Sequence, residues 1–525
     1  MKFKMLLLLG FFGVQAAKAQ VNYSEHIAPL IYNHCTSCHR PGEVAPFSLT
    51  NYSEVMSWGS TIKYATSISY MPPFKADPHY SDLQMVNTLS ASEIQQISDW
   101  VDGGMPQGNP ALEPALPVFA TGSQVGNPDL VLHFSQQHVH VGNNVDEYRY
   151  FVLPTGLTED KDLVALEMRP GNKSIVHHSL FWEDTTGQAA ADDAATPEYG
   201  YPDPNGGTGG SIFGQLNSQL PAYVPGQRPY VYSNGIAQRL HAGSDLKLQV
   251  HYAPTPVDET DSSVVNLFFA DQPATRFVKS YVMLPFGSVL ANGPFVIPAN
   301  QSKTFHGRWT VPEDASFLSV SPHCHLLGTH WEIYAIKPNG DTVNLVKVPT
   351  WDFNWQGGYY FKNLIHLPMG TVIHAYGGYD NTTNNPLNPN NPPQSITWGE
   401  NTSDEMFYVP LHYLSYQAGD ETMDLTGVDN PEQNFHNIKD RLYPIAPNPS
   451  SESITVGFTL ENPANVSLRV YDLYGRLVTS LAETQYYMNG MFTVGLDVSN
   501  YANGLYAFVM EARGKRQVQK FVVQH

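Results

Sequence analysis

The sequence predicts a multidomain, mainly β protein. It has a small α-helical unit first, β-sandwich material through the middle, and a compact antiparallel sandwich last. Three observations predict this. The chain has 525 residues, too many for one core, which suggests about three or four domains. It holds 41 Gly, 40 Pro, 30 Tyr and 25 Phe with only 14% charged residues, a balance that favours sheets and turns over long helices. From about residue 131 to 417, short alternating segments such as LKLQVHYAP and HWEIYAIK recur between turn residues.

The first residues read MKFKMLLLLGFFGVQAAKAQ. Lys2 and Lys4 precede an apolar run, and Ala17-Lys18-Ala19 forms a small-x-small cleavage site. This predicts a secretory signal peptide over 1–19, cut before Gln20. The apolar run is too short for a membrane span, and no other uninterrupted run reaches spanning length. The formal net charge is −20 with no basic stripe, which argues against a nucleic-acid partner.

Residues 20–108 form the predicted helical unit. CTSCH, Cys35 to His39, is the C-x-x-C-H haem attachment motif. Two thiols add to the haem vinyl groups and His39 becomes the proximal ligand. A redox C-x-x-C or half a zinc site would not explain the adjoining His, and the third cysteine, Cys324, completes no second pair. YSEHIAPLIYNHC reads as a helix running into the motif, and YSEVMSWGSTIKYATSIS as a second. SASEIQQISDWV opens on a capping box, Ser90 with Glu93, and places Ile94, Ile97 and Trp100-Val101 on one face; Gly103-Gly104 ends it.

This region resembles cytochrome c-like domains through Cys35 to Gly42 and the later Met71-Pro72-Pro73. The resemblance implies one covalently bound haem c, with Met71 as distal ligand. Met56 and Met105 are the competing methionines, and any single Met can be core filler. A thioether ligand raises the haem potential and suits electron relay.

Proline-rich sequence without periodicity predicts a linker over 109–129. The middle of the chain, to residue 417, carries the histidines of interest. VHHSLFWED places His177 beside His178. Strand neighbours face opposite sides, so both can serve one metal only at a bend or strand end. LKLQVHYAP ends a strand with His251. In SPHCHLLGTH, His323 and His325 are expected on one face of a strand, with Cys324 turned into the core and His330 structural. With 20 histidines in the chain, spacing alone leaves a metal site and hydrogen-bonded structural histidines equally open, and zinc as open as copper.

The ordered set His-His, VHY, His-x-His and GENTSDEMFYVPLHY resembles the copper type II, ascorbate-dependent monooxygenases, the family of peptidylglycine α-hydroxylating monooxygenase and dopamine β-hydroxylase. The HCHLLG and DEM elements are the most specific. The resemblance implies two jelly-roll β-sandwiches, 130–275 and 276–417, each with one copper ion. It implies His177, His178 and His251 as ligands of an electron-transfer copper. It implies His323, His325 and Met406 as ligands of an oxygen-binding copper, the catalytic centre, with the two coppers facing each other across solvent. HAYGGYDNT, 374–382, stands where members carry a cysteine, and the family's other disulfide cysteines are also absent.

The residue types suit that chemistry. Imidazole serves both copper oxidation states, and a thioether favours Cu(I). Monooxygenation inserts one oxygen atom of O2 into a C–H bond, makes water of the other, and needs two external electrons. The implied partners are O2, an organic small-molecule or peptide substrate, and an ascorbate-like or protein electron donor. The haem on the same chain is expected to feed the copper at His177, His178 and His251, because covalent linkage raises effective concentration. PDPNGGTGGSIFGQL and YVPGQRPYVY are the loops expected to line the substrate pocket.

A second linker is predicted over 418–443. The rest, 444–525, alternates as a small Ig-like β-sandwich. It resembles the type IX (Por) secretion sorting domain of Bacteroidota through Pro447-Asn448-Pro449, YDLYGRLV, Asn503-Gly504-Leu505-Tyr506 and the terminal KFVV. That implies the type IX machinery as a partner and a secreted or outer-surface location. An adhesion module is the rival for the tail. For the whole chain, the rival to a haem-linked monooxygenase is a non-catalytic extracellular haem/copper redox or binding protein on the same fold. A zinc hydrolase would have no use for the haem or Met406.

Overall fold

The computed structural model describes residues 20–119, 122–202, 218–232, 235–426 and 440–525. The expected signal peptide and nearly all of PDPNGGTGGSIFGQL lie outside them. The protein is mainly β, in several separate sheets. Among the described residues, no helix is long and apolar enough to cross a membrane.

The helical unit packs Tyr23, Ile27, Ile31, Val55, Ile97 and Trp100 into one core. A wide turn, Tyr23–Ile27, leads into helix Ala28–His34, which delivers the chain to Cys35. The Ser90–Glu93 capping box opens helix Ala91–Asp102, and Gly103 caps its end. The second predicted helix is two, Tyr52–Ser57 and Gly59–Ser67, broken at Trp58. A Cβ on Gly59 would lie 2.4 Å from Met105 Sδ and 3.6 Å from the Trp100 ring, so core side chains occupy the space any larger residue would need.

Two face-to-face sandwiches follow. In the first, Leu130–His133, Val264–Phe269, Lys161–Arg169, Ile236–Leu240 and Arg276–Phe277 form one sheet in that order. The opposing sheet is Glu147–Pro154, Asp245–Tyr252, Val176–Asp184 and Gln219–Tyr223. Phe151, Phe181, Leu166 and Leu267 meet between them. In the second sandwich, Lys279–Met283, Val409–Ser415, Ala315–Val320 and Tyr359–Leu367 oppose Gln301–Thr310, Val372–Asn381, Gly328–Ile336 and Thr342–Val348. Phe305, Phe317, Trp331 and Phe407 fill that core.

The sandwiches join along a polar seam. Tyr150 Oη donates to Glu400 Oε2 at 2.9 Å, and Tyr408 Oη donates to Gln219 Oε1 at 2.9 Å. The Tyr148 and Thr402 hydroxyls are 2.9 Å apart. Trp182, Val282, Leu284 and Met406 pack behind these bonds.

The helical unit straddles that seam. On one side, Lys173 of the first sandwich reaches Glu43 at 2.8 Å and the Gly42 carbonyl at 3.1 Å. On the other, Phe74, Ala76 and Leu83 join the second core, and the Gln84 amide donates to the Tyr360 carbonyl at 2.8 Å. The C-x-x-C-H segment is thereby held against both sandwiches.

The two predicted linkers are partly packed. Val118 exchanges backbone hydrogen bonds with Tyr486 and Met488 of the last unit, at 2.8 and 2.7 Å. Asp420 is buried and receives a two-pronged bond from Arg276, at 2.6 and 2.8 Å. Polar composition signalled loops here, but charge pairing and strand addition anchor them. The C-terminal unit stacks Arg441–Leu442, Ser453–Leu460 and Gly490–Asp497 on Leu477–Tyr487, Ala464–Tyr471, Gly504–Ala512 and Lys515–Val523.

Candidate metal centre

Strand Val176–Asp184 solves the problem of adjacent histidines with a bulge. Val176 faces Tyr252 and His178 faces His251, so His177 is the extra residue between them. A bulge bends the strand and re-aims a side chain. Here it turns His177 to the side of His178 and His251.

The three imidazoles converge through one kind of atom. His177 Nδ1 lies 3.1 Å from His178 Nδ1, and His251 Nδ1 lies 3.4 Å from His178 Nδ1. An ion with metal–nitrogen bonds of about 2.0–2.1 Å spaces tetrahedral ligands by about 3.3 Å. His251 Nε2 is engaged by Asp146 Oδ1 at 2.6 Å, which fixes the tautomer that leaves Nδ1 a free lone pair. Tyr148 stacks flat on His251 at 4.2 Å.

Burial keeps these rings neutral, as metal ligands must be. Desolvation lowers His177 to about 3 and takes His178 well below its ordinary value. It also lowers His251, against the pull of Asp146. The three ring nitrogens lie within 4.8 Å of one another, so the site fits a cation.

His323 and His325 are not on a strand. They sit in the loop between strands Ala315–Val320 and Gly328–Ile336, and only His323 pairs with a neighbour, by amide exchange with Tyr408 at 2.8 and 3.2 Å. The strand cannot continue because the 325–327 backbone turns to bind a buried carboxylate. Glu405 accepts from the amides of His325, Leu327 and Met406 at 2.9, 2.6 and 3.1 Å. Burial raises the Glu405 carboxyl to about 8 despite those three donors.

That turn brings the His323 and His325 rings to 5.2 Å at 88°. His325 Nδ1 meets the Asp404 carbonyl oxygen at 3.1 Å, leaving Nε2 as its free lone pair. Burial lowers His325 to about 4 and His323 well below its ordinary value. Cys324 is fully buried and accepts from Trp331 Nε1 at 3.2 Å, as expected of a core residue.

Met406 lines a cavity of about 70 Å³ together with His178, His323 and His325. The two predicted ligand sets therefore adjoin. The His178 and His323 rings are 5.9 Å apart, where two centres facing across solvent were expected. Phe353 fills the remaining gap, 5.3 Å from the His177 ring and 6.0 Å from the His325 ring.

Three other histidines, His138, His140 and His330, are hydrogen-bonded, whereas His412, which lines the cavity at Met406, has a buried Nε2 without a partner among the described residues. His138 and His140 both bond Glu147, at 3.1 and 2.9 Å, and His140 also meets the Ala253 carbonyl. His330 Nδ1 contacts Thr329 Oγ1 at 2.9 Å.

At the haem motif, His39 Nδ1 bonds the Phe47 carbonyl oxygen at 3.1 Å, which leaves Nε2 free to face an iron. Cys35 and Cys38 are free thiols. The His39, Cys35 and Cys38 set thus fits covalent haem. Met71 follows helix Gly59–Ser67, half-buried, with its amide on the Ala65 carbonyl at 3.2 Å. The methionines that share a cavity of about 350 Å³ with His34 and Ser37 are Met85 and Met488. His177 and His178 line its other side.

Sequence reasoning missed Asp146, Glu405, Phe353 and the Asp404 carbonyl. Each lies far from its histidine in sequence or acts through backbone, so no motif spacing marks it. Of the two loops expected at a pocket, YVPGQRPYVY does line these cavities, through Val224 and Gln227.

Residues 444–524 match the family described as Secretion system C-terminal sorting domain. The chain therefore carries a type IX sorting tail at its end, which indicates a secreted or outer-surface protein of a Bacteroidota-like bacterium. No curated protein sequence matches the chain. Among solved structures, a Faecalibacterium prausnitzii beta-glucuronidase is 11% identical at TM-score 0.13, over 43% of this chain and 38% of that one. A Parabacteroides merdae beta-glucuronidase is 10% identical at TM-score 0.14, over 47% and 31%. A Parabacteroides distasonis beta-1,2-glucanase is 9% identical at 0.12, over 48% and 33%. The chain spans well under half the length of each, and likenesses this slight carry no functional argument.

Proposed function

We propose that the chain is an exported copper-dependent monooxygenase that hydroxylates an organic substrate with O2 and takes electrons through a covalently attached haem c. One observation carries the reading: three Nδ1 atoms converge at His177, His178 and His251, directly beside a cavity lined by His323, His325 and Met406. The first set would hold one copper and the second another, while Cys35, Cys38 and His39 would hold the haem. When bound, copper supplies one-electron redox chemistry and O2 reduction, and haem c supplies an electron relay.

The chain's own residues do the rest. Asp146 orients His251, the Asp404 carbonyl orients His325, and Glu405 shapes the turn between His325 and Leu327. Phe353 and the seam of Tyr148, Tyr150 and Tyr408 exclude bulk water between the two sets. The cavity at Met406, about 70 Å³, suits a molecule the size of O2 or water. The organic substrate would use the neighbouring cavity of about 350 Å³, which reaches His177 and His178.

The test is oxygen uptake by copper-loaded, haem-loaded protein with ascorbate as reductant, across a panel of small organic molecules and peptides. Uptake coupled to a hydroxylated product, and lost in His323→Ala, is expected. A protein that binds both metals yet forms no product with any reductant would be the non-catalytic redox or binding protein.

A further inference from the structure

His412 is buried on strand Val409–Ser415 of the second sandwich, and one of its ring nitrogens is unused. Its Nδ1 lies 2.9 Å from Oγ of Ser319, the residue it faces on the neighbouring strand. Its Nε2 is buried and has no hydrogen-bond partner among the described residues. Leaving such a group unpaired is destabilising, so it calls for a partner from outside the chain.

That partner would come from the small cavity. Met406, Tyr408, Pro410 and His412 occupy alternate positions of one extended segment, and all four line the cavity with His323 and His325. Tyr408 pairs with His323, so His412, four residues further on, stands about 13 Å along the strand from the second histidine set. The cavity, of about 70 Å³, holds several water-sized groups at about 10–15 Å³ each, room for O2 and the tip of a substrate together. Its walls share Val224, Gln227, Gln356 and Gly358 with the larger cavity, so a molecule lying in the larger one can reach inward.

The chemistry of the nitrogen selects what it holds. Burial lowers His412 to about 4, so the ring is neutral and carries one N–H. The Ser319 hydroxyl has no other partner among the described residues, so it donates to Nδ1, which assigns the ring proton to Nε2. Among the described residues no Lys or Arg lines the cavity, and its one carboxylate, Glu400, already accepts from Tyr150 Oη and Gln249 Nε2 at 2.9 and 3.0 Å. An anion would find no cationic side chain there, and an ammonium, which has only donors, cannot pair with an N–H.

We propose that His412 anchors the substrate by donating from Nε2 to an uncharged oxygen acceptor, such as an amide or ketone carbonyl, and so holds the adjoining carbons toward His323 and Met406. The inference rests on the proposed copper occupancy and names the substrate class of that site. His412 is a substrate-binding residue in this scheme, and Ser319 is a positioning residue that keeps the proton on Nε2.

The test uses full-length protein with copper and haem loaded and reduced, held without O2 so that nothing turns over. Three four-carbon probes are compared: butyramide, butyrate and butylamine, which are neutral, anionic and cationic. Saturation-transfer NMR of the probe signals gives affinities, and spectra of protein labelled with 15N at histidine give the proton position on His412. Butyramide is expected to bind about tenfold tighter than either charged probe, since a buried charge without a partner is costly. His412→Leu should weaken butyramide by about 3- to 10-fold, the worth of one neutral hydrogen bond, with copper content unchanged. His412→Gln, which keeps an N–H donor near the position of Nε2, should restore most of that loss. Wild-type spectra should show the proton on Nε2, and Ser319→Ala should show it shared between both ring nitrogens. Equal butyramide affinity in wild type and His412→Leu, tighter binding of butyrate or butylamine, no binding of any probe, or a wild-type proton on Nδ1 would overturn the anchor alone. Wild-type protein that takes up no copper would overturn the anchor together with the proposed function.

Discussion

The imidazole rings of His178 and His323 lie 5.9 Å apart at 72°, although 145 positions separate them and they belong to different sandwiches. The seam hydrogen bonds from Tyr148, Tyr150 and Tyr408 hold them there. Two ligand sets this close are expected to influence each other, so loading one copper should change the spectrum of the other.

Asp146 holds His251 through a 2.6 Å contact to Nε2. Asp146→Asn should weaken copper binding at the first set by about 10- to 100-fold, the usual loss for a partner of a metal-bound imidazole. Competitive copper titration measures it. Unchanged affinity would mean His251 is oriented by Tyr148 alone.

Met406 lines the second cavity from the seam side. Met406→Ile should lower Cu(I) retention at the second set and leave the first set filled. Loss of the sulfur scatterer in X-ray absorption spectra of the reduced protein checks this. A spectrum with no sulfur contribution in the wild type would exclude Met406 as a ligand.

Acid should destabilise the metal-free protein. In the unfolded chain a histidine titrates near 6.5, whereas burial lowers His177 to about 3 and His325 to about 4 in the fold. Between those values the unfolded state binds more protons, so stability is fully present above about pH 6.5 and is lost as pH falls toward 4. Thermal unfolding of metal-free protein from pH 7 to 4.5 should show a steady fall in Tm, reduced in a His177→Gln, His325→Gln double variant.

The backbone under the second set depends on a glycine. A Cβ on Gly377 would sit 2.9 Å from the ring of Trp331, which is fully buried and donates to Cys324 Sγ. Gly377→Ala should destabilise by about 1–3 kcal/mol, the cost of overpacking a rigid core. Chemical denaturation reads this directly.

Much of this arrangement was legible in the sequence. His177, His178 and His251 were named as one set, and the structure brings them together. The bend that adjacent histidines require is there as a bulge. The strand expected at His323 and His325 is absent, because alternation cannot reveal that Glu405, some 80 positions on, captures two amides of the same turn. Asp146 and Phe353 were illegible for a related reason: each is one polar or aromatic residue among many until the fold closes. The sorting tail was legible because several of its elements lie in order within 81 residues, 444–524. Met71 rests on its motif, and the structure sets it half-buried just past helix Gly59–Ser67.

Elemental analysis of protein beginning at Gln20, matured with haem and reconstituted with copper, tests the proposed metal content most directly. About two copper and one iron per chain are expected from the two histidine sets and the single C-x-x-C-H. Iron alone, or iron with zinc in place of copper, would contradict a copper monooxygenase and leave a redox or binding protein on this fold.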